Sequence, residues 1–244
     1  MTVIGGFNSN QLLQYIDYKL IKKNPKILCG YSDITALQHA IYKKTGLVTY
    51  SGPHYFTFGR PPFYDYTVDY FKKCLFETKP FDIVPSQLVS EHSSKDSTEI
   101  EYQNSGFWIF QKGEAVGKII GANLCTLNLL QGTEFMPDIK DCILFVEDDH
   151  TSDKVAFDRD LQSLMQLPGA KSIKGLVIGR FQKESDISMG TLEKIVRSKK
   201  ELQKVPIIAN VDFGHTYPMI TFPIGGKARI KVGKDSAELK IIEH

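Results

Sequence analysis

A serine, a glutamate and a histidine occupy matching places in this sequence, each just past a short apolar run. Ser32 lies in Ile27-Leu-Cys-Gly-Tyr-Ser-Asp-Ile-Thr35, Glu147 closes Cys142-Ile-Leu-Phe-Val-Glu147, and His215 lies in Val211-Asp-Phe-Gly-His-Thr-Tyr-Pro218. A serine hydroxyl becomes a nucleophile when a base takes its proton, and the base needs a carboxylate to orient it. An apolar run, Gly30 and a following helix would hold Ser32 at the carboxyl edge of a parallel sheet, where such sheets place their ligands. The N–H groups at the start of that helix can stabilise an oxyanion. This has the physics of a nucleophile elbow, although Ile34 stands where the G-x-S-x-G pattern has its second glycine.

Each segment has a second reading. Ser32 or Asp33 can serve only as a helix N-cap. Glu147, Asp148 and Asp149 form an acidic cluster that suits a hard cation, or simply a solvated strand end. His215 can be a structural histidine in a turn stiffened by Pro218. The triad reading gains from agreement, because all three residue types fall at equivalent positions after strands. Gly5 and Gly6 follow another apolar run and can bring a bare backbone N–H to the same edge. The other histidines, at 39, 54, 92, 150 and 244, have weaker contexts.

The elements that must position these groups alternate between strand and helix. Thr2-Val-Ile4 reads as a buried strand entering a glycine turn. Leu12, Leu13, Ile16, Leu20 and Ile21 predict a helix over 11–23, ended by Pro25. Ile27–Cys29 and 47–50 read as strands around a helix over 34–44, a βαβ rhythm. Residues 51–66, rich in aromatics, Gly and Pro, read as a loop over a site, and 69–76 as a helix. The polar run 86–99 predicts a linker or mobile loop. Apolar runs at 143–146, 176–178 and 206–211 predict buried parallel strands, with helices over 158–167 and 189–199. Alternation over 227–242 around Gly-Lys-Asp predicts a β-hairpin.

Thirty basic against 28 acidic residues leave a net charge of +2, which gives no footprint for a nucleic acid polymer. No apolar stretch is long enough to span a membrane, and the start has no signal-peptide pattern, so the expected setting is cytoplasmic. The four cysteines lack zinc spacing and read as free thiols. Neither a metal nor an organic cofactor is called for.

Taken in order, the motifs resemble the LD-carboxypeptidase and microcin C immunity family of serine peptidases. The resemblance rests on Gly5-Gly-Phe-Asn-Ser-Asn-Gln11, Gly30-Tyr-Ser-Asp-Ile-Thr35, Gly121-Ala-Asn-Leu-Cys-Thr126 and Leu129-Leu-Gln-Gly-Thr133. It continues through Leu144-Phe-Val-Glu-Asp148, Phe157-Asp-Arg-Asp-Leu161 and Gly214-His-Thr-Tyr-Pro218. It implies Ser32 as nucleophile, Glu147 as orienting carboxylate and His215 as base. The implied oxyanion hole is the Asp33 amide with Gly5 or Gly6. The Gly-Gly-Phe-Asn-Ser-Asn form is similar to the microcin C immunity branch, which makes Asn8 and Ser9 candidate substrate-binding residues. That branch stacks an aromatic residue on the substrate's nucleobase, and Trp108 is the candidate here, its other reading being a core residue beside Phe107 and Phe110.

The implied fold is α/β: a partial doubly wound parallel-sheet nucleophile domain over 1–80, a linker and mobile loop over 81–105, and a second α/β domain over 106–244 carrying Glu147 and His215. The resemblance also implies βα units before the Gly-Gly turn, so the chain reads as lacking an N-terminal portion. The expected substrate is a small peptide or a peptidyl or aminoacyl nucleotide. The rivals are a murein L,D-peptide and an inactive ligand-binding module. An unpaired strand edge at Thr2–Ile4 would favour a homodimer.

Overall fold

A computed structural model describes residues 1–59, 64–92 and 99–244. Helix α1 (Tyr18–Lys23) precedes β1 (Cys29–Gly30), α2 (Ile34–Thr45) and β2 (Thr49–Ser51), after which come α3 (Tyr64–Leu75) and β3 (Phe81–Ile83). The polar hairpin β4 (Leu88–His92) and β5 (Glu99–Gln103) leads to β6 (Trp108–Gln111) and the long β7 (Gly113–Asn123). Then follow α4 (Leu124–Asn128), β8 (Cys142–Glu147), α5 (Lys154–Met165), β9 (Gly175–Arg180), α6 (Met189–Arg197) and β10 (Ile207–Gly214). The chain finishes with β11 (Phe222–Ile224), β12 (Lys227–Val232) and β13 (Ala237–Glu243).

Eight strands form one mixed sheet in the order β3-β13-β12-β7-β8-β9-β10-β6. Its centre, β7 to β10, is parallel, and every residue of β8, β9 and β10 is buried. Burial on both faces is why these strands read as unbroken apolar runs. β12 alternates exposed and buried residues because one of its faces meets solvent. A second sheet has three strands, β1-β2-β11, with β1 and β2 parallel around α2. One apolar cluster joins the sheets, from Ala36 and Ala40 on α2 to Ile119, Phe145 and Phe222.

The α/β class holds, but sheet membership crosses the expected boundaries. β11 comes from the C-terminal region yet pairs antiparallel with β2, while β3, placed in the linker, pairs with β13. The run read as a mobile linker forms β4 and β5 in a five-pair antiparallel register. Its side chains misled because Ser90 and Glu91 are polar but buried: the Ser90 hydroxyl donates to Glu99 across the hairpin, and Glu91 Oε2 accepts the Lys183 N–H. Residues 93–98 of that run, and 60–63 of the aromatic loop, lie outside the described residues.

Two N-terminal expectations are also corrected. Thr2–Ile4 is not a strand: Thr2 N–H donates to Cys29 O and Tyr55 N–H to Thr2 O, while Val3 and Ile4 are exposed. The helix expected over 11–23 divides into a 3-10 segment, Ser9–Tyr15, and α1. Asp17 makes the division, because its side chain accepts the Leu20 N–H as an N-cap and so starts a new helix.

Candidate active site

Ser32 sits where β1 turns into α2. Its φ is 61°, a left-handed conformation that a non-glycine residue adopts only where its surroundings impose it. Thr35 N–H donates to Ser32 O at 2.9 Å and closes the turn. β1 and β2 are parallel, so this turn and the segment after β2 lie at the same, carboxyl edge of the sheet.

Glu147 ends β8 and is 2% exposed. His215 follows β10, two strands away in the same sheet. His215 Nδ1 is 2.8 Å from Glu147 Oε2, and His215 Nε2 is 3.1 Å from Ser32 Oγ. The series hydroxyl–imidazole–carboxylate is therefore closed by hydrogen-bond contacts at both nitrogens. Burial alone would lower the His215 pKa, but the Glu147 charge and hydrogen bond outweigh it and raise the pKa above the ordinary imidazole value.

The turn that carries His215 is held on two sides. Gly214 has φ 114°, and a Cβ there would stand 3.0 Å from Glu147 Oε2, so glycine keeps the carboxylate in place. Beyond the histidine, Ser90 N–H donates to Tyr217 O at 2.8 Å and Tyr217 N–H to Ser90 O at 2.7 Å. The hairpin that the sequence presented as a linker thus braces this turn. Beneath it, Arg180 pairs with Asp212 at 2.6 Å, both side chains buried.

The three acids at the end of β8 diverge. Glu147 meets His215, Asp148 Oδ1 accepts from Asn123 Nδ2 and the Asp149 N–H, and Asp149 Oδ1 accepts from the Thr151 N–H. Among the described residues no group of three or more His, Cys, Asp or Glu is arranged to hold a metal ion. Burial first, and the Glu147 charge second, raise the Asp148 pKa to about 6.

Asp33 is buried at the start of α2, but its side chain does not cap the helix. Its carboxylate accepts the Ser9 N–H at 2.9 Å, and its carbonyl accepts the Ser9 hydroxyl. Ser9, expected to bind substrate, is instead buried and committed to Asp33. Asn8 is exposed and lies outside the cavity lining. Gly5 and Gly6 separate in role: a Cβ on Gly5 would lie 3.3 Å from Ser32 Oγ, whereas one on Gly6 would meet the Asp33 carboxylate.

A cavity of about 500 Å³ opens over Ser32, lined by residues 4–7, Tyr31, His54, residues 149–151 and His215. Trp108 is not among them. It pairs with Ala209 on β10, six residues before His215. It lines a separate cavity with Tyr102, Arg180 and Lys183, and its Nε1–H donates to Ser105 Oγ. Sequence reasoning set His54 aside, yet it stands in the wall of the serine cavity. The signal was present: His54 follows the β2 strand end through Gly52-Pro53, much as His215 follows β10.

A serine at a strand–helix elbow, joined through an imidazole to a buried carboxylate at strand ends of an α/β fold, defines the class of serine-type hydrolases. The chain belongs to the LD-carboxypeptidase family, matching its N-terminal domain over residues 1–52 and its C-terminal domain over residues 116–230. That membership makes it a serine-type carboxypeptidase. It is similar to the Bacillus subtilis protein YocD, with 52% identity over 100% of this chain and 76% of that one. It is also similar to the microcin C7 self-immunity protein MccF of Escherichia coli, with 33% identity over 100% of this chain and 73% of that one. Among solved structures, an MccF-like protein of Bacillus anthracis superposes with a TM-score of 0.96 at 49% identity, over 100% of this chain and 76% of that one. MccF in complex with glutamyl sulfamoyl guanosine superposes with a TM-score of 0.87 at 32% identity, over 100% of this chain and 75% of that one. Among the described residues no helix is long and apolar enough to cross a membrane.

Proposed function

We propose that this carboxypeptidase hydrolyses the amide-like link of a peptidyl or aminoacyl nucleotide, with Ser32 as nucleophile, His215 as base and Glu147 as orienting carboxylate. The observation that carries the reading is the closed series of contacts, 3.1 Å from Ser32 Oγ to His215 and 2.8 Å from His215 to Glu147. His215 Nε2 takes the Ser32 proton as Oγ attacks the carbonyl carbon, and the imidazolium is stabilised by Glu147. Backbone N–H groups of Asp33 and Gly5 receive the charge on the former carbonyl oxygen. The leaving group departs with the proton from His215, and water, activated by the same base, clears the acyl-enzyme.

The nucleotide class is supported by likeness to MccF, whose solved complex holds an aminoacyl sulfamoyl nucleoside. Four free cysteines suit a reducing, cytoplasmic setting. A homodimer belongs to the same reading and is checked by sedimentation. The decisive experiment compares native enzyme and Ser32→Ala on a glutamyl nucleotide amide and on a murein L,D-peptide. Native turnover of the nucleotide, lost in the variant, is the expected result. Preference for the murein peptide would replace the substrate class and leave the nucleophile standing.

A further inference from the structure

We propose that His54 is a second imidazole of the reaction centre, one that donates its Nε2–H to the carbonyl oxygen of the bond attacked by Ser32. The proposal rests on the reading of Ser32 as nucleophile.

Topology brings the two residues together. β1 and β2 are parallel, with Cys29 opposite Tyr50 and Gly30 opposite Ser51. Ser32 is two residues past the first strand end and His54 three past the second, so both emerge at one sheet edge. The His54 ring is only 3% exposed, and it stacks on Tyr31 with ring centres 4.2 Å apart. The Tyr31 ring in turn meets His215 edge-on at 5.3 Å. One aromatic ring therefore packs against both imidazoles.

The two nitrogens of His54 are used unequally. Nδ1 is 2.8 Å from Thr2 Oγ1, while Nε2 is buried and has no hydrogen-bond partner among the described residues. A buried polar atom left unpaired costs free energy, so such an atom in the wall of a reaction cavity points to a ligand. The same atom faces the nucleophile. The point that a Cβ on Gly5 would occupy lies 3.3 Å from Ser32 Oγ and 3.5 Å from His54 Nε2. Both atoms therefore lie within 3.5 Å of one point beside Gly5, and a side chain on residue 5 would crowd the space that they share.

The protonation state fits a donor that keeps its proton. Burial, and then the charge of His215, lower the His54 pKa to about 4, so the ring is neutral at pH 7 and carries one proton. The Thr2 hydroxyl lies closer to Nδ1 than to its other acceptor, Cys29 O, which is 3.4 Å away and beyond the usual O–H···O range. With the Thr2 hydroxyl donating to Nδ1, the single ring proton resides on Nε2. As Oγ bonds to carbon, the serine proton passes to His215 and the carbonyl π pair moves onto oxygen. His54 then strengthens its hydrogen bond to that oxygen without proton transfer. The two histidines divide the work: one raised in pKa and proton-accepting, the other neutral and donating.

The test compares His54→Ala and His54→Gln with native enzyme for kcat on a glutamyl nucleotide amide. Kd for the same compound is measured in the Ser32→Ala background, and thermal melts establish folding. Loss of one oxyanion donor predicts a fall in kcat of about 10²-fold for His54→Ala. Kd should change less than twofold, and His54→Gln, which restores an N–H near the same place, should recover at least tenfold. Full kcat in a folded His54→Ala, with Nε2 serving only solvent, overturns the proposal. So does a loss confined to Kd. If the Ala variant does not fold, ¹⁵N NMR of the native enzyme with a boronate on Ser32 decides: the His54 Nε2 proton must shift downfield, and an unmoved resonance overturns the assignment. Retained hydrolysis by Ser32→Ala would instead remove the nucleophile reading, a result separable from any His54 outcome.

Discussion

His215 Nε2 stands 3.1 Å from Ser32 Oγ although the serine follows a strand of the three-stranded sheet and the histidine a strand of the eight-stranded one. The contact closes only because both sheets pack on one apolar cluster, with Phe222 of the small sheet against Phe145 and Phe213 of the large one. The elbow itself is strained. Ser32→Gly should abolish hydrolysis while raising stability by about 1 kcal/mol, since glycine takes a positive φ without penalty. Ser32→Ala should abolish hydrolysis without that gain. Calorimetry on both variants checks the pair, and equal melting temperatures would show that the turn stores no strain.

Glu147 sets the pH range of the base. His215 must be neutral to accept the serine proton, and its pKa is raised above 6.5. Activity should therefore fall as pH drops through a value above 6.5. Linkage gives the matching stability: the His215–Glu147 contact stabilises fully below the unfolded histidine pKa and is lost as pH rises through the raised one. Glu147→Gln should shift the acid limb of kcat/KM to lower pH and reduce kcat by about 10⁴-fold. A limb that stays in place would assign it to another group.

Asp148 carries the opposite sign. Its pKa is raised to about 6, so the folded state disfavours its charge. Stability from this residue is greatest below about pH 4 and falls as pH rises toward 6. Asp148→Asn should stabilise the protein at pH 7 by on the order of 2 kcal/mol and much less at pH 4. Denaturant titrations at the two pH values measure the difference, and an equal effect at both would refute the assignment.

The hairpin brace predicts an effect at a distance. Ser90→Pro removes the N–H that donates to Tyr217 O and so loosens the turn carrying His215. It should lower kcat by at least tenfold while Ser32 still reacts with a small phosphonate probe. Unchanged turnover in the folded variant would mean that the turn stands without the brace.

Trp108 lies in a cavity of its own, so Trp108→Ala should leave kcat/KM for nucleotide-linked substrates within about twofold. A loss equivalent to 1–3 kcal/mol, the scale of base–aromatic stacking, would return the tryptophan to the substrate site.

The residues that meet at the site were legible because each follows a buried strand, and strand ends converge at one edge of a parallel sheet. The strands themselves were legible where burial on both faces made the runs apolar, as in β8 and β9. Ser90 and Glu91 were not, since the Ser90 hydroxyl is paired with Glu99 across the hairpin and the Glu91 carboxylate accepts the N–H of Lys183, distant in sequence. The place of His54 after a strand end was legible, but its contacts with Thr2 and Tyr31, distant in sequence, were not. The tie of Ser9 to Asp33 was not legible, because it is a contact across 24 residues.

The division of the site between two sheets also governs when hydrolysis begins. Ser32 emerges from the ribosome 183 residues ahead of His215, and β11, the strand that completes the small sheet, emerges later still. A nascent or half-assembled chain therefore holds an inert alcohol beside an incomplete sheet. The contact between Ser32 and His215 therefore forms only together with the finished core.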